Sequence, residues 1–315
     1  MKSALITGAN GFIGQKLCSR LDASGVKVTK LVRELVGISI ERQYKCELGF
    51  DLIPEVAFEG VDTVFHLAGV THDLKNSPNK DKLYIDINVV VTEKIAMLAA
   101  KKGVKSFIYV SSVKAGGVSS SKECMNENDE YKPDGIYGQS KRNAELKLLK
   151  IWEKTGIHIC IVRPSLVYGP GVKGNLLNML KAIEKGWFPP LPEVGNRRSM
   201  IHVDDLVDLL LLVESDKRSN GEIFIATDGN FYSSNTIYKS MRKSLGMKNI
   251  KWAVPNFIFL FIAKIGELIN SMFPFPFDLY RYNKLLGDEC YSSDKIEKML
   301  GFKAKRSFDE LESYK

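Results

Sequence analysis

Apolar and polar positions follow two different periods along the first half of the chain. Short runs rich in β-branched residues occupy 4–7, 26–32, 63–67, 106–111 and 157–163. Between these runs lie helix-length segments whose apolar residues recur at helical spacing. A regular alternation of strand and helix is typical of a parallel sheet with helices on both faces. We therefore predict an α/β fold with a doubly wound, Rossmann-type parallel sheet.

The pattern changes after Arg163-Pro164. Proline and glycine recur between positions 169 and 192, and only shorter helical and strand patterns follow towards the C-terminus. We expect residues 1–165 to form the Rossmann domain, with residues 199–227 returning to it. Residues 166–315 are expected to form mainly a smaller, discontinuous α/β region that binds the substrate.

Composition sets limits on the class of protein. The chain has 315 residues, of which 44% are apolar, so it can build a sizeable core without metals or disulfides. Lys and Arg outnumber Asp and Glu by 45 to 37, and the formal net charge of +8 favours anionic ligands in general. The charge alone leaves nucleic acid, anionic membranes and phosphorylated metabolites all open.

The cysteines and the chain's apolar runs bear on location. No CxxC pair is present, which predicts reduced thiols in a cytoplasmic protein; the cysteines are Cys18, Cys46, Cys124, Cys160 and Cys290. The first residues show no signal-peptide pattern, so we expect no secretion signal. The most apolar later run, at 257–263, is too short to cross a bilayer as a helix.

The segment 257–277 leaves two interpretations open. The simpler one is a helix docked on the protein core. The apolar run, continued by Phe273, Phe275 and Phe277, also fits a weak association with a membrane surface. The lysine-rich helix predicted at 141–154 carries interspersed acidic residues and an apolar stripe, so we expect it to be a solvated face and predict no nucleic-acid partner.

A glycine-rich turn follows the first predicted strand directly and opens a helix. Such a turn aims free backbone N–H groups and the positive end of the helix at a pyrophosphate, and glycines let the phosphate approach closely. No Lys-Ser or Lys-Thr follows at P-loop spacing, which argues against an ATPase. We predict that residues 1–165 bind a dinucleotide through Gly8, Asn10, Gly11, Phe12, Ile13 and Gly14.

The residue after the second strand usually contacts the adenosine ribose. An acidic residue there binds the 2′-hydroxyl of NAD, whereas a basic residue accommodates the 2′-phosphate of NADP. Here the strand ends in Arg33, and the nearest acid, Glu34, comes one residue later. This order favours NADP(H) over NAD(H), although Arg33 also fits a solvated loop charge.

A phenol and an amine lie four residues apart at the start of a predicted helix. Tyr137 and Lys141 therefore project from one face. A nearby cation stabilises phenolate, so we expect Lys141 to lower the pKa of Tyr137 and to let it exchange a proton with an alcohol. A hydroxyl from Ser111 or Ser112 would lie at the carboxyl end of the preceding strand, where open α/β folds bind ligands.

The histidines could suggest a metal site, because His66 and His72 lie six positions apart and His202 precedes two aspartates. We favour structural roles instead, since His66 ends a strand and Asp204 is placed to cap a helix that begins at Asp205. The sequence therefore predicts no catalytic metal.

In combination, these motifs resemble the extended short-chain dehydrogenase/reductase family, in its NAD-dependent epimerase/dehydratase branch. The resemblance rests on Gly8, Gly11, Gly14, His66-Leu67-Ala68-Gly69, Asn88, Ser111-Ser112, Tyr137, Lys141, Arg163-Pro164 and Val167-Tyr168-Gly169-Pro170. It covers essentially the whole chain and implies a nucleotide-sugar site in residues 166–315.

The resemblance also implies a role for each matching residue. Ser112 would hydrogen-bond the reacting oxygen, Tyr137 would act as acid and base, and Lys141 would bind the nicotinamide ribose. Asn88 would support the cofactor site. The remaining cofactor contacts would be Glu47 and Leu48 at the adenine and Leu67, Ala68 and Gly69 beside the glycine loop.

Within the family, the pattern is most similar to a bacterial polysaccharide-biosynthesis subgroup that handles UDP-linked N-acetyl-aminosugars. Its members are implied to act at C4, as 4-epimerases with bound NAD or as 4-ketoreductases. Asn175 and Arg198 would contact the diphosphate. Leu166 stands where UDP-glucose 4-epimerases commonly have Asn. Because Arg33 favours NADPH, we rank a UDP-4-keto-6-deoxy-HexNAc 4-reductase first and a UDP-glucose or UDP-N-acetylglucosamine 4-epimerase second.

Two further alternatives stay open. A non-catalytic, NADP-sensing protein could share this fold, although it would have no need of Ser112, Tyr137 and Lys141 together. The sugar could also be carried on a lipid diphosphate, in which case the segment 257–277 would serve the membrane surface. The resemblance implies a homodimer as well, because the family often dimerises through helices like the one that carries Tyr137.

Overall fold

The computed structural model describes residues 1–35, 42–71, 80–117, 123–129, 131–133, 135–248, 250–270 and 277–308. Its strands are β1 Ser3–Thr7, β2 Lys27–Val32, β3 Gln43–Lys45, β4 Thr63–His66, β5 Ser106–Val110, β6 His158–Pro164, β7 Leu166–Tyr168, β8 Arg198–His202, β9 Ile223–Ala226 and β10 Phe231–Tyr232. Its helices are α1 Phe12–Ala23, α2 Lys80–Ile85, α3 Thr92–Lys101, α4 Gly135–Thr155, α5 Asn175–Glu184, α6 Val203–Ser215, α7 Ser234–Ser244, α8 Asn256–Ile269, α9 Leu279–Leu286 and α10 Asp294–Leu300. Short 3₁₀ turns occupy Glu55–Phe58, Val113–Gly116 and Lys217–Ser219, and a π-helical turn, Asp86–Val91, joins α2 to α3.

The chain divides into two compact units, each assembled from separate segments. The first comprises Met1–Ser165, Val203–Ala226 and Ser292–Lys303, and the second comprises Leu166–His202, Thr227–Tyr291 and Ala304–Lys315. The first unit therefore holds the glycine-rich turn and the Tyr137 helix, while the second holds Asn175 and Arg198.

Seven of the described strands form one parallel sheet in the first unit, in the order β3-β2-β1-β4-β5-β6-β9. The chain moves outwards from β1 through β2 to β3, then crosses back to β4 and continues in the opposite direction. The carboxyl ends of β1 and β4 thus flank a topological switch point, where ligands of doubly wound sheets bind. The predicted Rossmann-type α/β fold is confirmed.

Burial explains the strand composition. Every residue of β1, β4 and β5 is buried, as expected for parallel strands covered on both faces. The helix α4 turns Ala144, Leu148 and Ile151 into the core on one face. The first unit's core therefore fixes α4, and with it the side chains at its N-terminal end.

The second unit has a smaller sheet in the order β10-β8-β7, with β7 parallel and β10 antiparallel to β8. In the first unit, α6 begins at Val203, which makes the prediction of a helix beginning at Asp205 wrong. Asp204 therefore lies in the first helical turn, not at the N-cap. A carboxylate there faces the positive end of the helix dipole.

The cysteines differ from the prediction. Cys18, Cys46 and Cys160 are buried free thiols, but Cys124 and Cys290 are disulfide-bonded, so the expectation of five reduced thiols is wrong for these two. The prediction rested on the absence of a CxxC pair. This feature concerns only pairing between neighbouring cysteines and says nothing about cysteines far apart in sequence. In the described part of the chain, none of the helices combines the length and the apolar character that spanning a bilayer requires.

Candidate active site

The glycine-rich turn packs tightly against the loop that follows β4. Gly8 has a φ of +71°, which favours glycine, and a Cβ atom there would lie 2.9 Å from the Ala68 nitrogen. The Gly11 N–H donates to the Gly8 carbonyl oxygen at 2.9 Å, and a Cβ on Gly14 would lie only 2.2 Å from that oxygen. The three glycines therefore let α1 start directly on the end of β1.

The N-terminus of α1 is suited to a pyrophosphate. Gly11 is the N-cap, and within the described residues no side chain caps this end and no acid lies in its first turn. Its N–H groups and dipole therefore favour an anion. Phe12 and Ile13, half-buried, form the first turn, and the Asn10 amide donates to the Glu34 carbonyl oxygen at 3.1 Å. This turn fits the phosphates of a dinucleotide cofactor.

His66, the last residue of β4, contacts the end of β1 and the start of α3 through its imidazole ring. Its Nδ1 lies 2.7 Å from Thr7 Oγ1, its Nε2 lies 2.9 Å from Thr92 Oγ1, and the Ala68 N–H donates to Thr7 Oγ1. Burial, and secondarily the Lys141 charge, lowers the pKa of His66 to about 3. The imidazole is therefore neutral at physiological pH and acts as a hydrogen-bonding link.

The lowered pKa of His66 predicts acid sensitivity. The unfolded chain takes up this proton near pH 6.5 and the folded chain only near pH 3, so stability falls as the pH drops between these values. We expect the free energy of unfolding to fall by about 1.4 kcal/mol per pH unit more in the wild type than in His66→Gln. Urea titrations at pH 6.5, 5.5 and 4.5 measure both slopes, and parallel slopes would contradict the assignment.

Asn88 is the centre of a buried hydrogen-bond network at the end of β4. Its Oδ1 accepts the Val70 N–H at 2.8 Å, and its Nδ2 donates to the Val70 carbonyl at 3.1 Å and to Ser140 Oγ at 2.9 Å. Ser140 Oγ in turn donates to the Tyr137 carbonyl oxygen at 2.8 Å. Asn88 therefore ties the loop after β4 to the start of α4. Ser140 was not among the predicted site residues, although it lies inside the Tyr137–Lys141 motif.

Lys141 is buried beside this network. Its ammonium donates to the Val110 carbonyl oxygen at 3.0 Å and lies 4.7 Å from the centre of the Tyr109 ring. Burial lowers the pKa of Lys141 to about 8, while the Glu145 charge opposes that shift. A Cβ on Gly69 would lie 3.3 Å from Nζ and 2.9 Å from Asn88 Oδ1. Glycine at this position therefore keeps the backbone of the loop close to the ammonium.

Tyr137 lies at the start of α4, with its ring 6.2 Å from that of Tyr84. Burial raises the pKa of Tyr137 to about 12, a hydrogen bond with Ser112 acts to lower it, and Tyr84 raises it. The expectation that Lys141 brings this pKa down is wrong for this structure. The reason is geometric: the ammonium of Lys141 donates to the Val110 carbonyl oxygen, and Tyr137, half-buried overall, has its ring beside that of Tyr84.

The two serines after β5 have different surroundings. Ser111 is buried and its hydroxyl donates to Glu145 Oε1 at 2.5 Å. Ser112 is half-buried, its hydroxyl oxygen accepts the Lys114 N–H at 3.2 Å, and it acts to lower the pKa of Tyr137. Of the two candidates that the sequence left open, Ser112 is the one that acts on the pKa of the phenol, and its catalytic role stays a prediction. Ser111 belongs to a buried charge network.

The predicted adenosine contacts lie at the carboxyl ends of β2 and β3. Arg33 is exposed directly after β2. Glu47 is exposed and its backbone N–H donates to Asp51 Oδ2 at 2.6 Å, whereas Leu48 packs against the core. Leu67 is half-buried at the end of β4 and donates its N–H to the Thr7 carbonyl oxygen at 3.3 Å. Their roles in cofactor binding stay predictions.

The two predicted diphosphate contacts belong to the second unit. Asn175 is the exposed first residue of α5. Arg198 is largely buried, and its guanidinium donates to Glu289 Oε2 at 3.1 Å and to the Lys284 carbonyl oxygen at 2.9 Å. A diphosphate at Arg198 would therefore share the guanidinium with Glu289. His72 and the aromatic residues Phe273 and Phe275 lie outside the described residues.

Known proteins are similar to this chain in sequence. The family model described as "NAD dependent epimerase/dehydratase family" matches residues 4–226. The UDP-glucose 4-epimerase of Vibrio cholerae is 27% identical over 269 residues, covering 84% of this chain and 82% of that protein. The N-acetyl-alpha-D-glucosaminyl-diphospho-ditrans,octacis-undecaprenol 4-epimerase of Escherichia coli O157:H7 is 28% identical over 248 residues, covering 78% and 73%.

Solved structures share the fold over nearly the whole chain. MoeE5 in complex with UDP-glucose and NAD has a TM-score of 0.77 at 22% identity, covering 98% of this chain and 95% of that one. The UDP-N-acetylglucosamine 4-epimerase of Bacillus cereus has a TM-score of 0.76 at 17% identity, covering 98% and 96%. The comparisons lend no support to a preference for NADP over NAD.

Proposed function

The chain belongs to the NAD-dependent epimerase/dehydratase family, a branch of the extended short-chain dehydrogenases/reductases, and on that premise we propose that it is an NAD-dependent 4-epimerase of UDP-linked sugars. The observation that carries the proposal is the placement of Tyr137 and Lys141 one helical turn apart at the start of α4, with the Lys141 ammonium buried and Ser112 close enough to act on the pKa of Tyr137. The similarity to two 4-epimerases, over more than two thirds of each chain, favours epimerisation over reduction.

The cofactor fits the residues of the first unit. The glycine-rich turn offers the uncapped N-terminus of α1 to the pyrophosphate, and the loop at Gly69 passes close to Lys141 and Asn88. When bound, NAD would supply reversible hydride transfer at the sugar carbon through its positively charged nicotinamide ring. Lys141 would hold the nicotinamide ribose through its ammonium, and Asn88 would keep the loop after β4 in place.

Tyr137 and Ser112 would handle the proton of the C4 hydroxyl. As phenolate, Tyr137 takes this proton while the C4 carbon is oxidised, and the resulting phenol gives it back when the carbon is reduced. Ser112 donates a hydrogen bond that orients the C4 oxygen towards Tyr137. Because burial raises the pKa of Tyr137 to about 12, loss of its proton requires positive charge nearby. The Lys141 ammonium, bound to the Val110 carbonyl, does not lower this pKa here, so the charge would come from the positively charged ring of the cofactor.

The decisive experiment uses no added cofactor. Purified protein is incubated separately with UDP-glucose, UDP-N-acetylglucosamine and N-acetylglucosaminyl-diphospho-undecaprenol, and the C4 epimers are separated chromatographically. We expect interconversion of a UDP-linked sugar at catalytic rates and NAD in the supernatant of denatured protein. Epimerisation of the lipid-linked sugar alone would change the substrate class, and failure on all three would contradict the proposal.

A 4-ketoreductase is the second candidate function, and Arg33 is the observation that favours it. Its exposed guanidinium at the end of β2 suits a 2′-phosphate. If the reductase is correct, Arg33→Ala weakens NADPH binding and leaves NADH binding unchanged. Fluorescence titration of the wild type measures its affinities for NADPH and NADH. Equal affinities would mean that Arg33 gives no preference for NADPH, and the support for the reductase would be lost.

The two serines give a matched pair of variants for the catalytic assignment. We expect Ser112→Ala to lower kcat by about 10²-fold, since a hydrogen bond to the reacting oxygen is lost. Ser111→Ala should leave kcat within about threefold of wild type but lower the free energy of unfolding by about 1–2 kcal/mol, because Glu145 loses a buried donor. Initial rates and urea denaturation of both variants measure this, and the opposite assignment of effects would make Ser111 the catalytic residue.

A further inference from the structure

The solvent-facing side of α8 is apolar. Phe257, Phe261 and Leu268 are 71%, 64% and 76% exposed, and Ile262 and Ile265 are exposed beside them. Phe257, Phe261, Ile265 and Leu268 follow the i, i+4, i+8, i+11 spacing, so they form one stripe along the helix. We call these four residues together with Ile262 the α8 stripe.

The opposite side of α8 is already occupied by the protein. Phe259, Ala263 and Gly266 are the buried residues of this helix. The Phe259 ring lies 6.0 Å from that of Phe277, and Asn256 Oδ1 accepts the Tyr282 hydroxyl of α9 at 2.9 Å. The helix therefore has two apolar sides: one packs on the protein, and the other, which carries the stripe, faces solvent. A soluble surface helix normally exposes polar residues there, so the stripe indicates a binding surface.

The residues around the stripe suit an interface between water and lipid. Trp252, four residues before α8, is 64% exposed, and Tyr280 of α9 is 62% exposed. Trp and Tyr are the side chains that concentrate at the level of lipid headgroups. Lys264 borders the stripe and lines a groove of about 380 Å³ together with Glu267, Leu268 and Leu279. A lysine at the edge of an apolar stripe can reach lipid phosphates while its stem stays in apolar surroundings.

The charge of this segment is strongly positive. Residues 239–284 contain eight basic and two acidic residues, a net charge of +6 out of +8 for the whole chain. The basic residues are Lys239, Arg242, Lys243, Lys248, Lys251, Lys264, Arg281 and Lys284, and the acidic ones are Glu267 and Asp278. Such a segment is attracted to anionic lipids and repels a second copy of itself. Charge therefore selects an anionic lipid surface over self-association as the partner.

We propose that the protein docks on anionic membrane surfaces through α8. The helix lies along the membrane plane, with the α8 stripe inserted at the boundary of headgroups and acyl chains and the surrounding lysines on the phosphates. With 14 residues, α8 can lie in this boundary but cannot span the bilayer. Docking is independent of the proposed epimerase activity, because it involves no residue of the Tyr137 site.

Vesicle co-sedimentation of the full chain tests the proposal. Vesicles of phosphatidylcholine alone are compared with vesicles that contain one quarter phosphatidylglycerol, at low and at high salt. We expect at least tenfold tighter partitioning to the anionic vesicles at low salt, with most of this difference lost at high salt. Absence of binding to both vesicle types would overturn the proposal.

Paired variants separate the stripe and the lysines from general effects. Phe261→Ser/Leu268→Ser should lower partitioning at least tenfold, whereas Trp187→Ser, which removes an aromatic side chain that is 81% exposed elsewhere in the same unit, should not change it. Lys251→Gln/Lys264→Gln/Lys284→Gln should also lower it at least tenfold, and the matched change Lys27→Gln/Lys94→Gln/Lys154→Gln, on exposed lysines of the first unit, should not.

Independent readouts keep the interpretation clear. All of the changed side chains are exposed, so we expect each variant to fold. Circular dichroism and thermal melting check this. Equal partitioning of the stripe variant and the wild type would refute the proposal even if binding occurs. Analytical ultracentrifugation without vesicles tests self-association. If the wild type is a dimer, the stripe variant is a monomer and neither binds vesicles, the stripe is covered by a second copy of the chain and the lipid proposal is wrong. Rates on UDP-sugars test the epimerase separately.

Discussion

Replacing Tyr137 by Phe is expected to lower kcat by about 10²–10⁴-fold. The change removes one hydroxyl and keeps the ring, so the contact with Tyr84 and the start of α4 are retained. What is lost is the group proposed to exchange a proton with the C4 hydroxyl. Since this interaction develops during the reaction, KM should change by less than about threefold. Initial rates with the preferred UDP-sugar measure both constants.

Tyr280→Phe is the matched control for Tyr137→Phe. It removes a hydroxyl from an exposed tyrosine in the second unit, and its rate on a soluble UDP-sugar should equal that of the wild type. Binding of NAD should survive in both variants, because the phosphate contacts of the glycine-rich turn are untouched. If Tyr137→Phe retains more than about a tenth of the wild-type kcat, Tyr137 is not the acid–base group and the proposed mechanism fails.

The central part of the fold could be predicted because burial leaves a strong pattern in the sequence. The strands β1, β2, β4, β5 and β6 coincide with the predicted runs to within a residue or two at either end. The strand β3 was not predicted because it is only three residues long and has no apolar run. It forms by pairing with β2. The second unit's short strands likewise depend on pairing between distant segments, which local patterns do not reveal.

The site was only partly predictable. The four-residue spacing predicted that Tyr137 and Lys141 lie on one face of a helix. The structure has both residues near the start of α4, as the sequence predicts. The direction of the Lys141 ammonium, towards the Val110 carbonyl, depends on the packing of α4 against β5 and has no signal in the sequence. The same holds for the different surroundings of Ser111 and Ser112, because the hydrogen bond from the Ser111 hydroxyl to the buried acid Glu145 has no signal in the sequence.

Replacing Glu145 by Gln is expected to lower the free energy of unfolding by about 3–5 kcal/mol. Glu145 and Arg163 form a buried ion pair in the first unit, with their side chains 1% exposed. Arg163 Nε donates to Oε1 at 2.9 Å and Nη2 donates to Oε2 at 2.6 Å. Gln has the shape of Glu but no charge, so the guanidinium would stay buried without a counter-ion. Urea denaturation of the wild type and the variant measures the loss.

Two further variants separate the ion pair from a general effect of altering α4. Glu153→Gln changes an exposed acid of the same helix, and its unfolding free energy should stay within about 0.5 kcal/mol of wild type. Glu145→Leu/Arg163→Met removes both charges and should recover most of the loss, because the cost lies in the unpaired cation and not in the missing pair. A double variant as unstable as Glu145→Gln would instead mean that the pair's hydrogen bonds, including the one from Ser111, carry the stability.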